Sequence, residues 1–195
     1  ALRSCPKPVI AAVEGAAAGA GCSLALACDL LVASREAKFS LAYGRIGTSP
    51  DGGASWHLAQ LLPRNQALEW IWMAQTRSGE DLHRSGLVNR LCAPGEALAT
   101  ALALAEELGA FAPNVLASVK ELVGSPSPAL TDQLDRERKA FVDNVNHPNG
   151  GEGLAAPGGC VADRHHVGVA GEAEVRAGGP VAGVAILDLA ELPPP

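Results

Sequence analysis

Residues 9–34 read VIAAVEGAAAGAGCSLALACDLLVAS, and they organise the chain. The β-branched, apolar run 9–13 predicts a short buried strand. Glu14 and Gly15 follow, then a small-residue turn over 16–21. The apolar run 22–33 predicts a helix whose far end passes into a second strand over 30–33. Strand, glycine turn and helix together present backbone N–H groups. The first turn of a helix has no internal acceptors for them, and the helix dipole makes that end electropositive. Glycine and alanine let a ligand approach the main chain, so the turn suits an anion, or an oxygen that becomes one during reaction.

Three readings of the turn stand side by side. Gly19-Ala20-Gly21 opens a G-x-G-x-x-G dinucleotide fingerprint, but Leu24 occupies the third glycine position. Small residues also serve close strand–helix packing with no ligand at all. The third reading is an oxyanion hole, which the following residues favour.

Those residues are Cys28-Asp29-Leu30, then 33–39 (ASREAKF), then 46–53 (IGTSPDGG). With the flanking residues they make two blocks, KPVIAAVEGAAAGAGCSLALACDLLVAS (7–34) and AKFSLAYGRIGTSPDGG (37–53). In order and spacing these blocks resemble the central segment of the enoyl-CoA hydratase/isomerase (crotonase) superfamily. The resemblance extends from about residue 7 to about residue 154. It implies an α/β, crotonase-like fold with a spiral ββα core and C-terminal helices. Residues 1–110 are expected to hold a partial core with the oxyanion turn and active-site helices. Residues 111–156 are expected to form the C-terminal helical part, and 157–195 an atypical tail.

The chain has 195 residues, enough for one domain with a sizeable core, and a formal net charge of −6. No basic patch interleaved with aromatics argues for nucleic acid, and no apolar run is long and unbroken enough to span a bilayer. No basic segment precedes an apolar one as in a signal peptide. The chain opens on Ala1 rather than methionine, so an upstream portion is expected. The five cysteines, Cys5, Cys22, Cys28, Cys92 and Cys160, are scattered with no C-x-x-C pair, which predicts a reducing, cytoplasmic compartment.

Along the chain, helices are expected over 54–62 and 66–75, with Leu68, Ile71 and Trp72 on the apolar face of the second. Trp56, Trp70 and Trp72 read as core or interface. Ser78-Gly79-Glu80-Asp81 predicts a capped short helix ending near Gly86. A strand is expected over 87–91 and helices over 95–111, 113–123 and 130–145. After Ala156 the character changes to PGGCVADRHHVGVAGEAEVRAGGPVAGVAILDLAELPPP, without helical period. A reading-frame change or foreign junction near Ala156–Pro157 accounts for the break. Residues 181–189 have the composition of a short strand in an otherwise loosely ordered tail. Cys160, His165 and His166, with His147 or Cys92, match no standard metal spacing, so no metal is expected.

The resemblance also assigns chemistry. The family polarises a thioester carbonyl between two backbone N–H groups, stabilising the enolate formed when the α-proton leaves. By motif position the second donor is the N–H of Ala20, flanked by Gly19 and Gly21. The first comes from an A-G-x-D-type loop that this sequence does not contain. Loss of one such donor costs about 3–4 kcal/mol, so whether the chain is itself an enzyme stays open. Family hydratases use two glutamates, at the positions of Ser23 and Tyr43, and neither residue replaces a carboxylate near neutral pH. Ser23 and Tyr43 are instead assigned to substrate binding, with Gly19 and Gly21. The carboxylate in place is Asp51, in Pro50-Asp51-Gly52-Gly53, where isomerase branches carry a proton-shuttling aspartate. An aspartate opening a helix is also a favoured N-cap.

The segment resembles the branch containing phenylacetate-pathway ring-epoxide isomerases. The implied activity is an acyl-CoA isomerase that moves a double bond, or opens or rearranges a ring epoxide, through a thioester enolate. Its partner is an acyl-CoA, with no cofactor beyond the CoA of the substrate, in a homotrimer or hexamer. The alternatives are a hydrolase or dehalogenase using Asp51, or a non-catalytic remnant that still binds acyl-CoA. His57 reads as packing or surface, and Glu14 and Asp29 as structural.

Overall fold

In the computed structural model, which describes residues 2–149 and 184–188, the buried segment 9–13 is strand β1 (Val9–Val13), with all five residues buried. A strand covered on both faces reads as a continuous apolar run. The two-residue period splits its side chains between two cores. Ile10 and Ala12 pack with Val32, Ala101, Leu104 and Ala105. Ala11 and Val13 pack with Cys22, Ala25, Leu26 and Phe39. Burial of each Val or Ile side chain contributes about 1.5–3 kcal/mol.

From β1 the chain turns at Glu14-Gly15 into β2 (Ala16–Ala18), then α1 (Ala20–Ala27), then β3 (Leu30–Ser34) and β4 (Lys38–Ser40). β3 lies parallel to β1, and β4 parallel to β2. Each winding thus lays one strand in each of two sheets, which is the spiral ββα arrangement. A 3-10 turn, Ala42–Ile46, leads to α2 (Ala54–Leu61) and α3 (Arg64–Met73). The next winding comprises β5 (Thr76–Ser78), antiparallel to β4, then α4 (Gly79–Arg84) and β6 (Arg90–Cys92), parallel to β3. Helices α5 (Ala97–Gly109), α6 (Pro113–Gly124) and α7 (Leu130–Asn146) follow. A final strand, β7 (Val184–Asp188), pairs antiparallel with β1, Val9 opposite Asp188 and Val13 opposite Val184. The sheet orders are β6-β3-β1-β7 and β2-β4-β5. The sequence expectation of an α/β crotonase-like core with C-terminal helices agrees with this architecture.

Several expected boundaries move. The helix expected from residue 22 begins at Ala20 and stops at Ala27, because Cys28 turns to extended backbone and the Asp29 carboxylate accepts from Val9 N–H at 2.8 Å. Part of the expected turn over 16–21 is strand β2, whose partner β4 is distant in sequence. The strand expected over 87–91 forms three residues later, since Leu87 and Val88 are buried in a turn and Asn89 pairs with the Leu31 main chain. In α3 the buried face carries Ala67 and Trp70, and Trp72 is exposed. Strand β5 was not expected at all. The short helix capped at Ser78 forms as read, with a reciprocal Ser78–Asp81 capping box. Of the tail, β7 falls within the expected strand 181–189; residues 150–183 and 189–195, including Cys160, His165 and His166, lie outside the described residues.

Candidate active site

The turn expected to hold an oxyanion lies where β2 meets α1. Gly19 is the residue before the helix, at φ 52°, ψ −120°, a conformation closed to residues with a Cβ. Its N–H donates to the Ser40 carbonyl of β4 at 2.9 Å, which anchors the turn to the second sheet. Ala20 is exposed and starts α1, and among the described residues no acceptor takes its N–H. Gly21, Cys22 and Ser23 behind it are buried. An N–H at a helix start with no internal acceptor is the kind of donor that can stabilise a developing oxyanion.

Asp51 lies beside this turn. Its carboxylate does not cap α2: Gly53 occupies the N-cap position with no side-chain cap bond, and Ala54 N–H goes to the Asp51 main-chain carbonyl at 3.1 Å. The carboxylate accepts instead from the Tyr43 hydroxyl, Oη to Oδ1 2.5 Å. Ser23 Oγ lies 3.0 Å from the Asp51 carbonyl, 3.2 Å from the Gly19 carbonyl and 3.4 Å from Tyr43 Oη. Buried Ser23 therefore joins the Gly19 turn, the 3-10 turn and the Asp51 loop in one network. Tyr43 Oη also lies 3.8 Å from where a Cβ on Gly19 would stand. Burial first, and then the hydrogen bond to Asp51, push the Tyr43 phenol above its usual 10, so it stays a proton carrier at neutral pH.

All the residues expected to contribute, Gly19, Ala20, Gly21, Ser23, Tyr43 and Asp51, thus fall in one neighbourhood. Sequence reasoning missed the Ser40 carbonyl that holds the turn and the Ser23 link to Asp51. The four-residue spacing of Gly19 and Ser23 was the available signal. Glu14 and Asp29 stand outside this network. Glu14 accepts from Gly95 N–H at 2.6 Å and Ala97 N–H at 3.0 Å, closing the start of α5. Asp29 pairs with Lys120 at 2.6 Å. His57 is buried and stacks edge-on against Trp56, at 5.1 Å between centroids. Burial, then the Arg3 charge, lowers its pKa below 6.5, which fits packing. Burial pushes the Cys22 and Cys28 thiols up to about 12, away from the reactive thiolate form. Among the described residues no three His, Cys, Asp or Glu side chains could share a metal ion, and no single helix is long and apolar enough to cross a membrane.

Residues 1–156 match the family model described as Enoyl-CoA hydratase/isomerase. The chain belongs to that family. It is 36% identical over 151 residues to a probable enoyl-CoA hydratase of Rhizobium meliloti (strain 1021), covering 77% of this chain and 59% of the relative. It is 36% identical over 138 residues to the 1,2-epoxyphenylacetyl-CoA isomerase of Escherichia coli (strain K12), covering 70% of this chain and 53% of the relative. An enoyl-CoA hydratase structure from Polaromonas sp. JS666 superposes with a TM-score of 0.77 at 54% identity, covering 80% of this chain and 61% of that one. The chain thus spans 53–61% of the length of these relatives.

Proposed function

We propose that this chain carries an acyl-CoA isomerase site in which Asp51 moves a proton along a substrate whose thioester oxygen sits at the Ala20 N–H. The observation that carries this reading is the Asp51 carboxylate itself. It is released from any capping role and tied through Tyr43 and Ser23 to the oxyanion turn. A thioester enolate needs one base near the α-carbon and donors at the oxygen. Allylic isomerisation needs no more than that: the carboxylate takes a proton from C2 and returns it at C4. The relative named as an epoxyphenylacetyl-CoA isomerase supports a rearranging rather than hydrating reaction. Relatives named as hydratases are equally present. Against hydration stand Ser23 and Tyr43, which are no bases at neutral pH in the positions where water would be activated. The substrate class is an acyl-CoA, with CoA entering as part of the substrate.

The test is C2-proton exchange. The chain is incubated with a 3-enoyl-CoA in heavy water and deuterium uptake at C2 is followed by NMR, alongside Asp51→Asn. Uptake should fall at least roughly a hundredfold in the variant. Undiminished uptake in Asp51→Asn overturns Asp51 as the base. A folded chain that binds the thioester with no uptake overturns the reading in favour of a non-catalytic acyl-CoA binder.

A further inference from the structure

We infer that Ser23 is a positioning residue for this chemistry: its buried hydroxyl fixes Asp51 relative to the Ala20 N–H without itself meeting the substrate. The inference rests on the proposed isomerase reading and deepens it, by naming what holds donor and base together. Ser23 is 0% exposed, so substrate feels it only through the residues it holds. On one side, the Gly19 carbonyl accepts from the Ser23 N–H at 3.0 Å and lies 3.2 Å from Oγ. That carbonyl and the Ala20 N–H belong to the same planar peptide group, so what holds the one aims the other in the opposite direction. On the other side, Oγ lies 3.0 Å from the Asp51 carbonyl, which also accepts from Ala54 N–H at 3.1 Å where α2 begins. One hydroxyl therefore bridges the peptide that carries the proposed donor and the main chain of the proposed base.

The carboxylate is reached by a second route. Tyr43 Oη donates to Asp51 Oδ1 at 2.5 Å and lies 3.4 Å from Ser23 Oγ. A serine hydroxyl has one proton to give, so the two carbonyls share it while the phenol keeps its own proton on Asp51. Packing sets the same spacing. A Cβ on Gly52 would stand 2.9 Å from Ser23 Cβ, so the loop carrying Asp51 rests directly on residue 23. Reacting groups tolerate little slack: a misplacement of about 1 Å can cost roughly a hundredfold in rate.

Two measurements test this. In the first, C2-deuterium uptake from a saturating 3-enoyl-CoA is followed in the wild-type chain, Ser23→Ala and Gly52→Ala, beside the affinity for the same thioester. Ser23→Ala removes the hydroxyl, whereas Gly52→Ala keeps it and pushes the Asp51 loop off it. Both should lower the saturated rate roughly ten- to a hundredfold and leave the affinity unchanged. A wild-type saturated rate in either folded variant overturns the positioning role. A loss confined to affinity in Ser23→Ala also overturns it, because Ser23 would then be a substrate contact. The isomerase reading survives both results, whereas no uptake in the wild-type chain overturns reading and role together. The second measurement needs no turnover. Tyr43 is the chain's single tyrosine, so phenolate absorbance after a rapid pH jump reports it alone. As the phenol ionises, the Ser23 hydroxyl can turn its proton to the phenolate, which holds the Tyr43 midpoint down against the larger upward push of burial. The midpoint should therefore rise in Ser23→Ala; an unmoved midpoint overturns the link from Ser23 to the Tyr43–Asp51 pair.

Discussion

Lys120 concentrates more of the fold on one side chain than any residue of the proposed site. Only 12% of its side chain is exposed, and Nζ donates to Leu2 O at 3.2 Å, Lys7 O at 2.9 Å and Asp29 Oδ2 at 2.6 Å. Asp29 in turn holds the first N–H of β1. One ammonium thus ties α6 to the segment entering β1 and to the end of α1. A hydrogen bond to a charged group contributes about 1.5–3 kcal/mol. Lys120→Met should therefore lower the stability by about 2–3 kcal/mol in urea unfolding, and an unchanged midpoint would refute the assignment. The long spacing between the partners is why sequence reasoning reached only a structural role for Asp29. Trp70 teaches the same lesson: all three tryptophans have core-like chemistry, yet Trp70 is fully buried, with its indole N–H on Gln75 O at 3.0 Å, and Trp72 is exposed.

Among the elements, the passage from β5 into α4 is the tightest. Gly79 opens α4 and its N–H donates to Ala37 O at 2.8 Å, drawing the chain against the end of β3. A Cβ there would stand 2.1 Å from Ser34 O, a main-chain atom that cannot rotate away. Gly79→Ala should cost about 3 kcal/mol, the upper end for overpacking. The checking measurement is thermal unfolding, with a loss under about 1 kcal/mol counting against the contact. Local signals served the elements well where the cap was local, as in the Ser78–Asp81 box. They failed for the start of α5, where Glu14 from across the fold accepts from the N–H groups of Gly95 and Ala97. They failed too for Asp51, where a cap-forming residue at a helix start is claimed by the Tyr43 hydroxyl.

At the scale of the whole molecule, the buried titratable groups set a pH window for stability. The Cys22 and Cys28 thiols titrate near 12 in the fold, against 9.0 in an exposed chain. Above pH 9 the unfolded chain releases these protons and the folded one does not, so stability falls from there towards pH 12. His57 runs the other way: its folded pKa lies below 6.5. The unfolded chain therefore binds the extra proton as pH drops below 6.5, and stability falls on that side too. The melting temperature should accordingly be flat between about pH 6.5 and 9. His57→Gln should flatten the acid limb and leave the alkaline one; an unchanged acid limb would rule out His57 as its source. No residue of α6 or α7 is buried. The two helices meet through Asn114, Ser118 and Asn144 rather than through an apolar core.

By itself the sequence determined the strand–turn–helix unit, the family resemblance, the helical C-terminal part and a set of candidate residues that the fold brings together. These are written in local periodicity, glycine placement and motif spacing, which depend on neighbours within a few residues. Only the tertiary structure decided that the second sheet threads through β2, β4 and β5, that Ser40 anchors the Gly19 turn, and that Asp51 answers to Tyr43 instead of its own helix. The first two rest on hydrogen bonds between segments that the chain brings together only by winding. A carboxylate's partner is set by which donor lies within reach after burial, not by which residue follows it in sequence.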